Sequence, residues 1–143
     1  MPAPTTRSAV DRLLAAVSGG DGVRIAEQFC ERVDWKLNWP LSAHGSPQTP
    51  WIRHRSTRAE AAENFAQLAE HHDPNSVDTV VERILVDGDD AVVLGEIRRA
   101  PRATGHGYRA RFALHLTVTD DRISRFHIYE DSLSVALAFG HTV

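Results

Sequence analysis

Arg111, His115 and Glu130 are the residues whose types and spacing best suit chemistry in this chain. They lie in two alternating segments, Tyr108–Thr119 and Ile123–Glu130, joined through Asp120-Asp121. With the two aspartates as the whole turn, paired positions sum to 241, because Thr119 then faces Arg122. That register predicts Arg111 opposite Glu130, Ala113 opposite Ile128 and His115 opposite Phe126 on one sheet face. Phe112–Tyr129, Leu114–His127, Leu116–Arg125 and Val118–Ile123 fall on the other. An imidazole with an ordinary pKa near ~6.5 suits proton transfer. A carboxyl removed from water rises toward the range of a general acid or base, and a guanidinium can steady charge developing on an oxygen.

Each of the three also has a purely structural reading. Arg111 and Glu130 form a cross-strand ion pair in this register, worth ~0.2–1 kcal/mol if partly exposed. Such a pair would hold the carboxylate ionised and weaken it as a base. His115 can be a satisfied histidine beside Phe126. At ~3.4 Å per residue, His115 and Glu130 are expected about 13 Å apart, so they flank a ligand and form no dyad.

The elements that must position these groups are legible as patterns. Val10, Leu13, Leu14 and Val17 make a helical stripe, broken by Ser18-Gly-Gly-Asp-Gly22. Asp21 can cap a second helix that buries Ile25, Ala26, Phe29 and Cys30 and stops near Arg32. Val33–Trp39 alternates with period two, placing Val33, Trp35, Leu37 and Trp39 on one strand face. A long loop marked by Pro40, Pro47 and Pro50 carries His44, Trp51 and His54; so long a loop in a compact domain is rarely idle. Trp51 is expected as a ligand contact at its rim. Thr57-Arg-Ala-Glu60 reads as a capping box opening a third helix, packed through Ala61, Phe65, Leu68 and Ala69. His71-His72 closes that helix, where cations suit the dipole. Strands are expected over Val77–Val86 and Ala91–Arg99, then the hairpin, then a short helix capped by Asp131 or Ser132. Helices and strands are segregated, so the fold class is α+β in a single domain over 1–143.

Composition bounds the function. The chain has 143 residues, 42% of them hydrophobic, enough for one buried core. A net charge of −3 argues against non-specific nucleic-acid binding. Fifteen of the sixteen basic residues are arginine, which suggests a GC-rich bacterial genome. Cys30 is the sole cysteine, so no disulfide framework or thiolate metal cage is expected. No His/Asp/Glu spacing supplies a metal site, and no glycine-rich phosphate loop or cofactor motif is visible. The segment Met-Pro-Ala-Pro-Thr-Thr lacks an apolar signal core and no stretch approaches a membrane span, so a soluble cytoplasmic protein is expected.

The arrangement resembles the SnoaL-like, ketosteroid-isomerase-like branch of the nuclear transport factor 2 superfamily. The resemblance rests on Ser18-Gly-Gly-Asp21, Phe29-Cys-Glu-Arg-Val-Asp-Trp35, Pro50-Trp51 before Arg55-Ser-Thr-Arg58, and Asp121-Arg-Ile-Ser-Arg-Phe-His-Ile-Tyr-Glu-Asp131. It implies a cone, a curved antiparallel sheet wrapped around N-terminal helices with a pocket between them. Known members include steroid isomerases, polyketide cyclases, epoxide hydrolases, dehydratases and non-catalytic binding modules. The steroid isomerases' base matches Leu37, their tyrosine Leu13 and their protonated carboxyl Ala113, all apolar here. Their usual mechanism is therefore not expected. What the resemblance implies instead is a cofactor-free cyclase, isomerase or hydrolase acting on a hydrophobic, polyketide-like metabolite. Its pocket would be lined by Trp35, Leu37, Trp39, Trp51, Phe65, Ala113, Phe126 and Ile128, with Arg111, His115 and Glu130 as the catalytic groups. Strands apolar on both faces need two covers, which suggests a homodimer through the sheet. The alternative is a ligand-binding or dimerisation module of the same fold.

Overall fold

A computed structural model describes residues 5–76 and 78–140. Most of the N-terminal segment read for a signal core, and Val77 at the start of the second expected strand, lie outside the described residues. Helix α1 (Thr6–Gly19) is opened by a reciprocal cap between Thr5 and Ser8 and closed by Gly20 at φ 76°. It buries Ala9, Val10, Leu13 and Ala16. Helix α2 (Gly22–Glu27) begins where the Asp21 carboxylate accepts the Val23 N–H. It is shorter than expected, because Phe29 and Cys30 belong to strand β1 (Phe29–Leu37). The Ile123 N–H donates to the Gln28 carbonyl at 2.8 Å, drawing the chain into the sheet before the helical pattern runs out.

Helix α3 (Arg58–His71) starts at Thr57, whose hydroxyl accepts the Glu60 N–H. The return arm of the box lands one residue early, with the Glu60 carboxylate accepting the Ser56 N–H. Strands β2 (Asp78–Asp87), β3 (Asp90–Arg99), β4 (Tyr108–Thr119) and β5 (Arg122–Glu130) follow, then helix α4 (Ser132–Ala138), capped by Asp131. The curved open sheet runs β1-β5-β4-β3-β2. The meander is antiparallel throughout, whereas β1 joins its edge parallel to β5, so the sheet as a whole is mixed. Helix α1 packs on β3, β4 and β5, and α3 on β1, all against one face.

Two local devices shape that face. A Cβ on Gly95 would lie 2.2 Å from the Val80 carbonyl oxygen and 2.8 Å from the Phe112 ring, so only glycine lets β2 and β4 close on β3 there. The second device corrects the expected register. Asp120 (φ 50°) and Asp121 (φ 64°) do form a two-residue hairpin turn, and Thr119 faces Arg122 as predicted. A bulge then leaves Ser124 unpaired, so Thr117 faces Arg125 and every later pair moves by one. Phe112 faces Glu130, Leu114 faces Ile128, His115 faces His127 and Leu116 faces Phe126. A one-residue shift exchanges faces. Phe112, Leu114 and Leu116 are thus inner residues with Phe126, Ile128 and Glu130, while Arg111, Ala113 and His115 are outer.

Two apolar clusters fill the inner side. The larger joins α1, β1 and the centre of the sheet around Phe29, Trp35, Leu116 and Phe126. The smaller closes the other end with Trp39, Trp51, Ile52, Ala110, Val135 and Phe139.

Candidate functional site

The expected ligand-contact residues separate into three groups. Trp35 stacks on Phe126 at 4.2 Å between ring centroids and 7° between planes, and Phe65 meets Phe126 edge-on at 5.9 Å. Leu37 faces Ile128 across β1 and β5, completing an aromatic and aliphatic inner wall. Trp39 and Trp51 belong to the smaller cluster. Trp51 is only 4% exposed, packed edge-on against Phe139 and beside His72, and so is no rim residue. Ala113 lies on the outer face and lines nothing inside, which also removes it as the counterpart of the isomerases' protonated carboxyl.

The catalytic candidates are split by the same register. Glu130 alone is inner. Its carboxylate accepts the Trp39 indole N–H at 2.7 Å, and the Asn38 side chain brackets its backbone, accepting from its N–H at 3.0 Å and donating to its carbonyl at 2.8 Å. Burial pushes its pKa up, the Trp39 donor opposes the rise and neighbouring Asp131 adds to it. The expected Arg111–Glu130 pair does not form. Arg111 is 70% exposed and donates to Glu82 at 2.8 Å.

His115 lies in an outer row of polar groups. Its Nε2 is 2.9 Å from Asp90, which also accepts from Thr117 at 2.6 Å. Its ring meets His127 edge-on at 6.0 Å, and His127 Nε2 is 3.0 Å from Asp34, itself paired with Arg125. Hydrogen bonds from Thr117 and His115 hold Asp90 below the usual carboxylate range, and His127 and Arg125 do the same for Asp34 despite some burial.

Near Glu130, the inner face carries Arg99 and Tyr108, with His72 behind them. Arg99 and Tyr108 face each other at the ends of β3 and β4. Tyr108 Oη is 2.6 Å from His72 Nε2, and His72 Nδ1 is 2.7 Å from the Leu68 carbonyl. A carbonyl only accepts, so Nδ1 carries the proton and Nε2 accepts from the tyrosine. Burial pulls the His72 pKa down to about 4, against the Leu68 bond and with help from Arg99 and His71. Tyr108 is pushed up by burial, with Arg99 opposing and Glu130 reinforcing. Burial lowers Arg99, whose Nε has no hydrogen-bond partner. The parity of Arg99 and Tyr108 within their strands was the available signal. His72 had none beyond its helix end.

A cleft of ≈ 190 Å³ opens beside this region, between the end of β1 and the loop through residues 41–54. Its apolar wall is Trp35, Leu37, Trp39 and Leu41. Trp39 therefore separates the cleft from the Glu130 carboxyl. The cleft and the Glu130 carboxyl thus lie on opposite sides of one indole. Among the described residues no three His, Cys, Asp or Glu side chains converge as a metal set, and no helix is long and apolar enough to cross a membrane.

A curved sheet closed by helices on one face is the architecture of nuclear transport factor 2-like proteins. An NTF2-like protein from Burkholderia thailandensis is 21% identical over 94% of this chain and 96% of its own, with a TM-score of 0.77. A Catenulispora acidiphila protein with a ketosteroid isomerase-like fold, solved in complex with trimethylamine, is 14% identical over 96% of each chain, with a TM-score of 0.74. TerC, crystallised with polyporic acid, is 16% identical over 96% of this chain and 98% of its own, with a TM-score of 0.76. At these identities the likeness establishes the fold. The profile of the SnoaL-like domain matches residues 10–126, and the chain belongs to that family. No curated protein matches it.

Proposed function

We propose that this SnoaL-like protein is a cofactor-independent isomerase- or cyclase-type enzyme that moves a proton on a hydrophobic small molecule, with Glu130 as the transferring group. The observation that carries this reading is the Glu130 carboxyl, raised in pKa by burial, with Trp39 as its side-chain donor. A carboxyl so placed takes a proton from a carbon acid more readily than an exposed one. In this reading a substrate entering the cleft displaces the Trp39 indole, and Arg99 supplies positive charge for the oxygen that gains electron density. TerC's co-crystallisation with polyporic acid supports a cyclic organic substrate, and the proposed setting is bacterial secondary metabolism in the cytoplasm. Arg111 and His115 hold the outer face and take no part in the chemistry.

The test is solvent exchange. In D₂O, the protein should catalyse deuterium incorporation α to the carbonyl of cyclic 1,3-diketones and keto acids, followed by NMR. Glu130→Gln should slow it ~10²–10⁴-fold. Exchange that survives this substitution unchanged removes Glu130 from the role.

One observation favours a second reading, a binding or dimerisation module. The end of the cone is filled by Trp39, Trp51 and Phe139. On the outer face, Tyr129 is 54% exposed beside half-buried Val92, Leu94 and Ala113. A homodimer through this face would cover them. Sedimentation of the wild type against Tyr129→Asp checks that assembly, and lack of exchange with every ketone favours the module.

A further inference from the structure

We infer that the cleft beside β1 is a binding site for a small ring-bearing organic anion, its ring against Trp35, Leu37 and Trp39 and its acidic group toward Lys36, His44 and Arg53. The apolar wall described above is only half of the lining. The other half is Lys36, His44, Arg53 and His54, and no acidic residue lines the cleft. Arg53 has Glu63 at 3.5 Å, but both side chains are about half exposed, and such a pair exchanges readily for a better acceptor. His44 Nε2 is buried without a hydrogen-bond partner. A buried polar atom left unpaired is costly, and a turn of the His44 ring toward an anionic occupant of the cleft it lines would relieve that cost.

The fold leaves this space open for a specific reason. β1 is an edge strand, and the returning chain pairs with its early part only, with Arg32 bridged to Thr57 and the Val33 N–H donating to Ser56 at 3.0 Å. Beyond that point the loop turns on itself, with Gly45 N–H bonded to the Ile52 carbonyl and Ile52 N–H to the Thr49 carbonyl. The loop thus stands away from Trp35–Leu37 as a self-supported wall.

Charge and shape select the occupant. A cation would meet Lys36 and Arg53 with no acidic side chain in the lining to pair with it, and a neutral ring would use the apolar wall alone. The ≈ 190 Å³ volume lies below the ~300–1,000 Å³ of drug-sized ligand sites, so the occupant is small. The inference rests on the proposed function only in taking this anion as the substrate; binding itself stands apart from Glu130.

The probes are benzoate, benzyl alcohol as its neutral counterpart and acetate as the anion without a ring, titrated into the full chain at fixed ionic strength. Binding is followed by calorimetry and by tryptophan emission, since Trp35 and Trp39 line the site. Benzoate should bind at least about tenfold more tightly than either control. In the exposed-site double variant Lys36→Gln/Arg53→Gln, benzoate should fall to the level of benzyl alcohol, with the melting temperature unchanged. Equal binding of benzoate and benzyl alcohol, or full benzoate affinity in the double variant, overturns the inference. Glu130→Gln should retain benzoate binding while losing proton exchange. Lost exchange in that variant with no benzoate binding by the wild type sinks the anion site and leaves the acid–base reading standing. Benzoate binding without any exchange does the reverse.

Discussion

The Trp39 indole N–H reaches the Glu130 carboxylate at 2.7 Å, joining residues 91 positions apart at the point where β5 leaves the sheet. Trp39 is the main brake on the rise that burial imposes on Glu130. Replacing it with phenylalanine should move the acidic limb set by Glu130 to higher pH, read from the pH profile of α-proton exchange. A profile whose limb stays in place would show that the indole does not govern this carboxyl.

Glu130 also sets a stability trend. Its folded pKa is raised, so folding favours the protonated form, and stability falls as pH rises from the unfolded value through the folded one. Glu130→Gln keeps an acceptor for Trp39 without the charge. The variant should melt above the wild type at pH 7 and converge with it near pH 4, measured by thermal denaturation.

His72 acts in the opposite sense. With its pKa down at about 4, the folded protein stays unprotonated there while the unfolded chain takes up a proton. Stability is complete above ~6.5 and is lost as pH falls toward about 4, by about 3 kcal/mol. In His72→Gln the slope of stability against pH across that window should flatten. Urea titrations at half-unit steps in pH give the comparison.

Tyr108→Phe removes the donor to His72 Nε2 at 2.6 Å and strands a buried acceptor. The expected cost is about 1–3 kcal/mol. Imidazole NMR should still show the Nδ1–H tautomer, held by the Leu68 carbonyl, with the Nε2 resonance shifted by loss of its donor. A cost near zero would mean that water replaces the phenol.

Gly95→Ala should destabilise by about 1–3 kcal/mol or more, because the added carbon meets a backbone oxygen that cannot turn away. Adding Phe112→Leu relieves the ring contact and leaves the carbonyl clash, so rescue should be partial at best. Chemical denaturation of the single and double variants decides it.

Much of the architecture was legible because it depends on local chemistry. Asp21, Thr57 and Asp131 read as caps and are caps, and Asp120-Asp121 read as a tight turn and is one. The alternation of Val33, Trp35 and Leu37 read as one strand face and is one, although β1 ends at Leu37 and leaves Trp39 beyond it. The hairpin register fails at one residue, Ser124. Ile123-Ser-Arg-Phe126 alternates acceptably with or without a bulge, so nothing local marks Ser124 as the residue left out of the ladder. Trp51 was misplaced because a proline-bounded loop looks exposed until the helix ends that bury it are known. His72 was undervalued because its partner, Tyr108, lies 36 positions away.

The unpaired Ser124 has a consequence for how β5 tolerates change. Ile123 and Phe126 both point inward although three positions separate them, so odd and even positions swap their meaning within one strand. A complete substitution scan of β5 should therefore show a parity break. Charged residues should be rejected at 123, accepted through 124 and 125, then rejected again at 126 and 128. An alternation rule carried straight on from Ile123 would score 125, 126 and 128 backwards.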